Sequence, residues 1–189
     1  MKYEKELDYL QMMNVLNELT SSSDCLKMTY IGNSILYRPI PIITLGASSA
    51  RKSVLYVATH HATESICTLL LLGFLDEFLS LREKKKNVYG INLDLLLKAR
   101  KIYIVPMLNP DGVEYRLHGI EAQNPLYARV MKYSNGDFSK WNSNARGVDL
   151  NHNYDAGFYE YKTLETNLKA IDKFTSALEG EGVTTATVI

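Results

Sequence analysis

Apolar residues recur at helical spacing in two parts of the chain. Over about Lys5–Leu19 they repeat every three or four positions, and the polar residues 20–24 end the pattern. The pattern over about Thr63–Leu81 is the strongest helical signal in the chain, and the charged residues 82–86 follow it. We expect a helix over each segment, and a weaker helix over Thr163–Leu178.

Short runs rich in β-branched and apolar residues predict strands elsewhere. Leu26–Ile31 and Ile35–Leu45 are two such runs. Pro39 and Pro41 lie in the second run and favour a position at the edge of a sheet, because proline lacks the N–H group that a central strand donates. The last residues, Glu179–Ile189, combine a loop composition with one β-prone segment.

Two further runs are apolar without interruption, which is typical of strands that are buried on both faces. Val54–Thr59 precedes the main helical pattern, and Ile102–Val105 follows it. Strand, helix and strand in this order favour a parallel βαβ unit, and therefore an α/β sandwich. Such sheets bind ligands at the carboxyl ends of their strands. His61 and Asn109 both follow such ends in the sequence.

The composition narrows the possible functions. With 189 residues, 46% hydrophobic and 22% charged, the chain has the size and composition of one globular domain. Its formal net charge is zero, so no field attracts nucleic acid or an anionic membrane. Cys25 and Cys67 are too few for a disulfide framework, and Leu69–Leu75 is too short to span a membrane. Because the first residues show no signal-peptide pattern, we expect a cytoplasmic protein.

His61 and Glu64 are the first candidates for chemistry. If the main helix starts near Thr63, residues three apart fall on one face of its first turn, where both side chains can bind one metal ion. Two histidines and a glutamate are a recurrent ligand set of catalytic zinc. An isolated pair of this kind is, however, more often two solvated residues on a helix surface.

Two segments of a long tract with little periodicity, Asn109–Tyr159, supply context for this pair. Residues 106–112 contain Asn-Pro-Asp-Gly, which also favours an ordinary turn in any protein. In residues 147–155, Asp149 and Asn151 could stabilise a tight connection through hydrogen bonds to the local backbone. A tract of this length in a small domain is more often functional than not.

All three segments, in this order, resemble the zinc carboxypeptidase family. The matching elements are His61-Ala62-x-Glu64, the Pro-x-x-Asn-Pro-Asp-Gly stretch of residues 106–112 and the Gly-Val-Asp-x-Asn-x-Asn stretch of residues 147–153. The doublet His60-His61 and the run of residues 146–153 are most similar to a bacterial branch, the γ-D-glutamyl-L-diamino acid endopeptidases, which cut cell-wall peptides. The resemblance covers roughly Leu36–Phe158.

The resemblance implies a three-layer α/β sandwich with a mixed, largely parallel sheet. It also implies one domain over residues 1–189, made of an amino-terminal helix (1–25), a family-matching region (26–160) and a divergent tail (161–189). In function it implies zinc-dependent hydrolysis of a peptide or a cell-wall muropeptide.

The resemblance further assigns roles to single residues. His61 and Glu64 are implied to bind Zn²⁺, and Asn151 and His152 to hold a carboxylate of the substrate. The family commonly has arginine where this chain has His152, and often has arginine where it has Thr63. Histidine is a weaker, pH-dependent cation, so the difference argues against plain carboxypeptidase specificity and favours the cell-wall branch.

Two parts of the family's zinc site have no counterpart in the sequence. The resemblance implies a third ligand, a histidine beyond the Asn-x-Asn stretch, and a glutamate base further on, whereas no histidine follows Asn153. His60 and His118 have no matching role, although either could be recruited as the third ligand. The later glutamates also match no base of the family: Glu160, Glu165, Glu179 and Glu181. We therefore expect an incomplete domain that lacks the carboxyl-terminal strands and has no catalytic base. Alternatives are a non-catalytic peptide-binding protein, a non-functional remnant and an acylase on the same scaffold.

Overall fold

Six helices and four strands form among the residues that the computed structural model describes, which are Tyr3 and residues 5–168. In chain order they are α1 (Tyr9–Ser22), β1 (Leu26–Asn33), β2 (Pro39–Leu45), β3 (Lys52–Val57), α2 (Ile66–Glu83), α3 (Leu93–Ala99), β4 (Arg100–Val105), α4 (Pro110–His118), α5 (Tyr127–Ser134) and α6 (Phe158–Leu168).

These elements fall into two compact units. The first contains the residues up to Gly32, together with Pro39–Thr59 and Glu64–Leu108. The second contains Asn33–Arg38, His60–Thr63 and the described residues from Asn109 onward. All four strands and the helices α1, α2 and α3 therefore belong to the first unit, apart from Asn33 at the end of β1.

The first unit is built on a mixed sheet with the strand order β1-β2-β4-β3. Strand β4 pairs in parallel with β3, from Lys52 opposite Arg100 to Val57 opposite Val105, and antiparallel with β2. The parallel pairing continues past both strands, because the Ala58 N–H donates to the carbonyl of Val105 at 2.9 Å. The predicted βαβ arrangement and mixed α/β sheet are confirmed.

The predicted edge position of the second strand is wrong, because β2 lies between β1 and β4. Its pairing with β4 starts at Ile43, so Pro39 and Pro41 precede the paired part. Neither proline has to donate to that ladder, and Pro39 is the first residue of the strand, where proline is tolerated. The strand starts at Pro39 rather than at the expected Ile35 because Ser34–Arg38 forms a turn, in which the Ser34 N–H donates to the Arg38 carbonyl at 2.8 Å.

Strand β3 is also not buried on both faces as predicted. It is the last strand in the described order, and Val54, Leu55 and Tyr56 are 39%, 57% and 45% exposed. An apolar run indicates that a strand can be buried, but the position of the strand in the sheet decides whether both of its faces are covered. The other predicted buried strand does lie in the interior, because Ile102, Ile104 and Val105 of β4 are all buried.

The two strongest predicted helices are present, but their ends differ from the predictions. Helix α1 starts at Tyr9, after a capping box in which the Asp8 carboxylate accepts from the Gln11 N–H and the Gln11 side chain accepts from the Asp8 N–H. Its buried residues include Met12 and Leu16. The main helix α2 starts at Ile66, three residues later than expected. Helix α3, capped by the Asn92 side chain, was not predicted.

The tract with little periodicity, Asn109–Tyr159, contains the helices α4 and α5, which were not predicted. Asn-Pro-Asp-Gly starts α4, since Asn109 is the N-cap and Pro110 occupies the first turn, where its missing N–H costs nothing. Of the weak helix expected over Thr163–Leu178, residues up to Leu168 lie in α6, and the rest lies outside the described residues. The β-prone segment of residues 179–189 also lies outside them. No helix in the described part of the chain is long and apolar enough to cross a membrane.

We expect Ile104→Ala to lower the free energy of unfolding by about 2–5 kcal/mol, because it leaves a cavity around a side chain that is 0% exposed. The matched change on the outer strand, Leu55→Ala, removes a side chain that is 57% exposed and is expected to cost about 0.5 kcal/mol. Urea unfolding followed by circular dichroism measures both changes. Equal losses would contradict the assignment of β3 as an exposed strand.

Candidate functional site

The predicted ligand His61 lies in a turn, not on a helix. The turn His60–Thr63 belongs to the second unit, and two of its N–H groups donate to one residue. The Ala62 N–H donates to the Asn142 carbonyl at 3.1 Å, and the Thr63 N–H donates to Asn142 Oδ1 at 3.3 Å. Residues 61–64 lie outside any helix, because α2 starts only at Ile66, so the helical turn expected to carry His61 and Glu64 does not form. That geometric interpretation of the pair is wrong.

Thr63 makes a second contact with the same amide. Its hydroxyl also donates to Asn142 Oδ1. The side chain at this position, often an arginine in the resembling family, is therefore engaged in holding the turn.

Asn109 connects the same turn to a distant part of the second unit. Its Nδ2 donates to the carbonyls of His60 at 3.0 Å, Asn142 at 3.1 Å and Ser143 at 3.1 Å. Its Oδ1 accepts from the Gly112 N–H at 3.0 Å and caps α4. Asn109 is 2% exposed, so these bonds are shielded from water.

Asp149 lies between two histidines. Its Oδ1 is 3.1 Å from Nε2 of His61, and its Oδ2 is 3.2 Å from Nδ1 of His152. Oδ1 also accepts from the N–H groups of Asn151 at 3.0 Å and His152 at 3.3 Å, so the predicted local turn is present as well. The contact of Asp149 with His61 was not predicted from the sequence. A carboxylate in the third matching segment was the available signal, because metal-binding histidines usually donate their second nitrogen to such a group.

The contact of Asp149 bears on which nitrogen of His61 can bind a metal. In the tautomer whose Nε2–H donates to Asp149, Nδ1 carries the lone pair that a metal ion needs. A carboxylate in this place orients the ring and makes it a better ligand. The donor chemistry of His61 therefore fits a zinc ion.

His152 lies beside His61. The two ring centroids are 6.3 Å apart, in an edge-to-face arrangement. On its other side, His152 stacks on Tyr161 of α6, with ring centroids 4.4 Å apart. Asn151 is exposed. A role for Asn151 and His152 in holding a substrate carboxylate stays a prediction.

Glu64 belongs to the first unit, and its side chain is exposed. Its carbonyl accepts from the Thr59 hydroxyl at 3.3 Å and from the Cys67 N–H at 3.0 Å, just before α2. Carboxylate oxygen is an ordinary zinc ligand. The assignment of His61 and Glu64 as a metal pair stays a prediction.

The described residues contain no group of three His, Cys, Asp or Glu side chains that could hold a metal ion. His60, a possible replacement ligand, has its Nε2 2.7 Å from the hydroxyl of Tyr154, and His118 is exposed at the end of α4. Glu160 lies exposed on α6, whereas Glu179 and Glu181 lie outside the described residues. The predicted lack of a third ligand and a base therefore stays a prediction.

A buried carboxylate anchors the remaining segment of the second unit. Asp111, which is 1% exposed, accepts from the Ser34 hydroxyl at 2.8 Å, the Leu36 N–H at 2.9 Å and Nη1 of Arg38 at 2.6 Å. Burial and the charge of Asp111 raise the pKa of Tyr115 on the same helix to about 12. The aspartate of the Asn-Pro-Asp-Gly stretch thus has a structural role, which is to hold residues 34–38.

The comparisons with known proteins match most of the chain. A family model described as zinc carboxypeptidase matches residues 12–180. The chain is similar to γ-D-glutamyl-L-diamino acid endopeptidase 1 of Lysinibacillus sphaericus, with 34% identity over 81% of the chain and 39% of that protein. It is also similar to the uncharacterized protein YqgT of Bacillus subtilis, with 32% identity over 66% of the chain and 34% of that protein. The chain thus spans well under half the length of these curated relatives.

The structure is similar to that of a metallo-carboxypeptidase from Burkholderia cenocepacia. The TM-score is 0.56 at 19% identity, over 88% of this chain and 39% of that one. At this level of identity the comparison establishes the fold alone, and it confirms the predicted α/β fold of the carboxypeptidase type.

We expect Arg38→Ala to lower the free energy of unfolding by about 1.5–3 kcal/mol, because it removes the cationic partner of the buried Asp111 carboxylate. Lys132→Ala, an exposed change on α5, is the control and is expected to cost about 0.5 kcal/mol or less. Fluorescence of Trp141, the single tryptophan and a buried one, reports unfolding in urea. Equal effects of the two changes would contradict an anchoring role for Asp111.

Proposed function

The chain belongs to the zinc carboxypeptidase family, and we propose on that basis that it is a zinc-dependent peptidase in which His61 and Glu64 bind the metal. The observation that carries the proposal is the distance of 3.1 Å between Nε2 of His61 and Oδ1 of Asp149. A carboxylate behind one ring nitrogen, with the other nitrogen toward the metal, is the usual arrangement of a zinc-binding histidine, and here it favours Nδ1 as the ligand atom.

The chain's own residues supply the protein side of the chemistry. A bound zinc ion would polarise the carbonyl of the substrate and would make a water molecule more acidic. Asp149 fixes the ring orientation of His61 and favours the tautomer that leaves Nδ1 without a proton. Glu64 contributes a carboxylate, which offsets part of the positive charge of the ion.

For the substrate, we propose peptides that contain a γ-D-glutamyl-diamino acid bond. Support comes from the similarity to an enzyme named for that bond and from the residues around His61. His152 stands where the family commonly has arginine, a permanent cation. Thr63 stands where the family often has a second arginine, and its hydroxyl is bound to Asn142. Both differences weaken the recognition of a plain terminal carboxylate, which is the group that a carboxypeptidase needs to grip.

The metal proposal predicts that the purified chain binds zinc and that His61→Ala and Glu64→Ala each weaken binding at least about tenfold, which corresponds to 1.4 kcal/mol. His118→Ala, at the far end of α4, is the matched histidine control and should bind zinc as the original chain does. Titration with a competing chelator measures all four affinities. Unchanged binding in His61→Ala would refute the assignment.

The substrate proposal predicts cleavage of a peptide with a γ-D-glutamyl-diamino acid bond in preference to the same peptide with an α-linkage. Product analysis by mass spectrometry, with and without added zinc, tests this preference. Preference for the α-linked peptide would contradict the proposed substrate. Zinc binding with peptide binding but no cleavage would instead support the non-catalytic peptide-binding alternative.

A further inference from the structure

We infer that Asn109 is a positioning residue whose side-chain amide sets the backbone on both sides of His61 and thereby raises the metal affinity of that ligand. The inference rests on the proposed function in one respect, the role of His61 as a zinc ligand. It concerns a side chain that touches neither metal nor substrate and acts through the turn His60–Thr63.

The cap of α4 does not require a side-chain amide. Only Oδ1 of Asn109 takes part in the cap, by accepting from the Gly112 N–H. Asn92 caps α3 in the same manner, by accepting from the Leu95 N–H at 3.0 Å. An aspartate cap serves equally well at such a position. The Nδ2 group of Asn109 therefore has a task beyond the cap.

The Nδ2 group of Asn109 donates to carbonyls that lie next to His61 or are bound to its neighbours. One acceptor is the carbonyl of His60, the residue before His61, at 3.0 Å. Another is the carbonyl of Asn142 at 3.1 Å, which in turn accepts from the N–H of Ala62, the residue after His61. Peptide groups on both sides of His61 are thus held by one connected network. Fixing them fixes the direction of the His61 side chain, which Asp149 then orients at its tip.

The network is also closely packed. Asn109 is 2% exposed, and a methyl group on Gly112 would lie 2.4 Å from the Ser143 carbonyl and 2.5 Å from Nδ2 of Asn109. If Nδ2 is lost, buried carbonyls lose their donor, which is costly, and the turn can relieve that cost only by moving.

The test compares two asparagine caps in the same chain. Asn109→Asp keeps the cap acceptor at α4 but turns an oxygen toward the carbonyls of His60, Asn142 and Ser143. Asn92→Asp makes the identical change at α3, where the side chain is exposed. We expect Asn109→Asp to weaken zinc binding by about 10–100-fold, the usual effect of losing support behind a metal ligand, and Asn92→Asp to leave it unchanged.

A second readout is independent of metal. In the zinc-free protein, the Ala62 N–H should exchange with solvent at least about tenfold faster in Asn109→Asp than in Asn92→Asp, because its acceptor, the Asn142 carbonyl, is no longer held. A measurement on the unaltered chain covers the case in which Asn109→Asp does not fold. Its Asn109 side-chain amide protons should exchange more slowly than those of Asn92, and equal rates would refute the inference.

The outcomes separate this inference from the proposed function. If the unaltered chain binds no zinc, the metal proposal fails, while Ala62 exchange still decides whether Asn109 holds the turn. If zinc binds but both variants keep the original affinity and the original Ala62 exchange, the positioning role is refuted and the metal proposal stands. A lower melting temperature in Asn109→Asp with unchanged zinc affinity also refutes it, because Asn109 then only stabilises the fold.

Discussion

Buried backbone carbonyls need donors, and in the second unit the side-chain amide of one residue donates to three carbonyls. The amide of Asn109 reaches His60, Asn142 and Ser143, which lie in two segments far apart in sequence. Without it, a turn and an irregular segment would meet with acceptor facing acceptor, an arrangement that a dry interior does not tolerate. The start of α4, the turn that carries His61 and the path of the chain at Asn142 therefore share one constraint.

Two aspartates of the second unit show how surroundings assign different roles to one residue type. Asp111 is almost fully buried and meets the permanent cation of Arg38, so its charge is matched at every physiological pH. Asp149 is partly exposed and meets His61 and His152, whose charge depends on protons and on any bound metal. The first carboxylate suits an anchor. The second suits a site whose charge changes when a cation arrives.

Elements governed by local pattern could be predicted from the sequence, and those governed by distant partners could not. Strand β4 and the body of α2 follow from apolar spacing, and the order of the three matching segments led to the correct family. The exposure of β3 depends on its place in the sheet, which spacing does not encode. The turn that holds His61 depends on Asn142, which accepts from the N–H of Thr63 across 79 residues of sequence. A separation of 88 residues likewise hid the contact between Asp149 and His61.

The stretch Asn-Pro-Asp-Gly shows why a familiar turn sequence can conceal a site. As a turn, it would require only residues that bend easily, and many combinations would serve. In this structure each residue has a separate reason: Asn109 donates to three carbonyls, Pro110 starts a helix, Asp111 binds Arg38, and Gly112 leaves room for the Ser143 carbonyl. The stretch is therefore better understood as the support of the His61 turn than as a connection between two elements, and its value as a sequence signal comes from that combination.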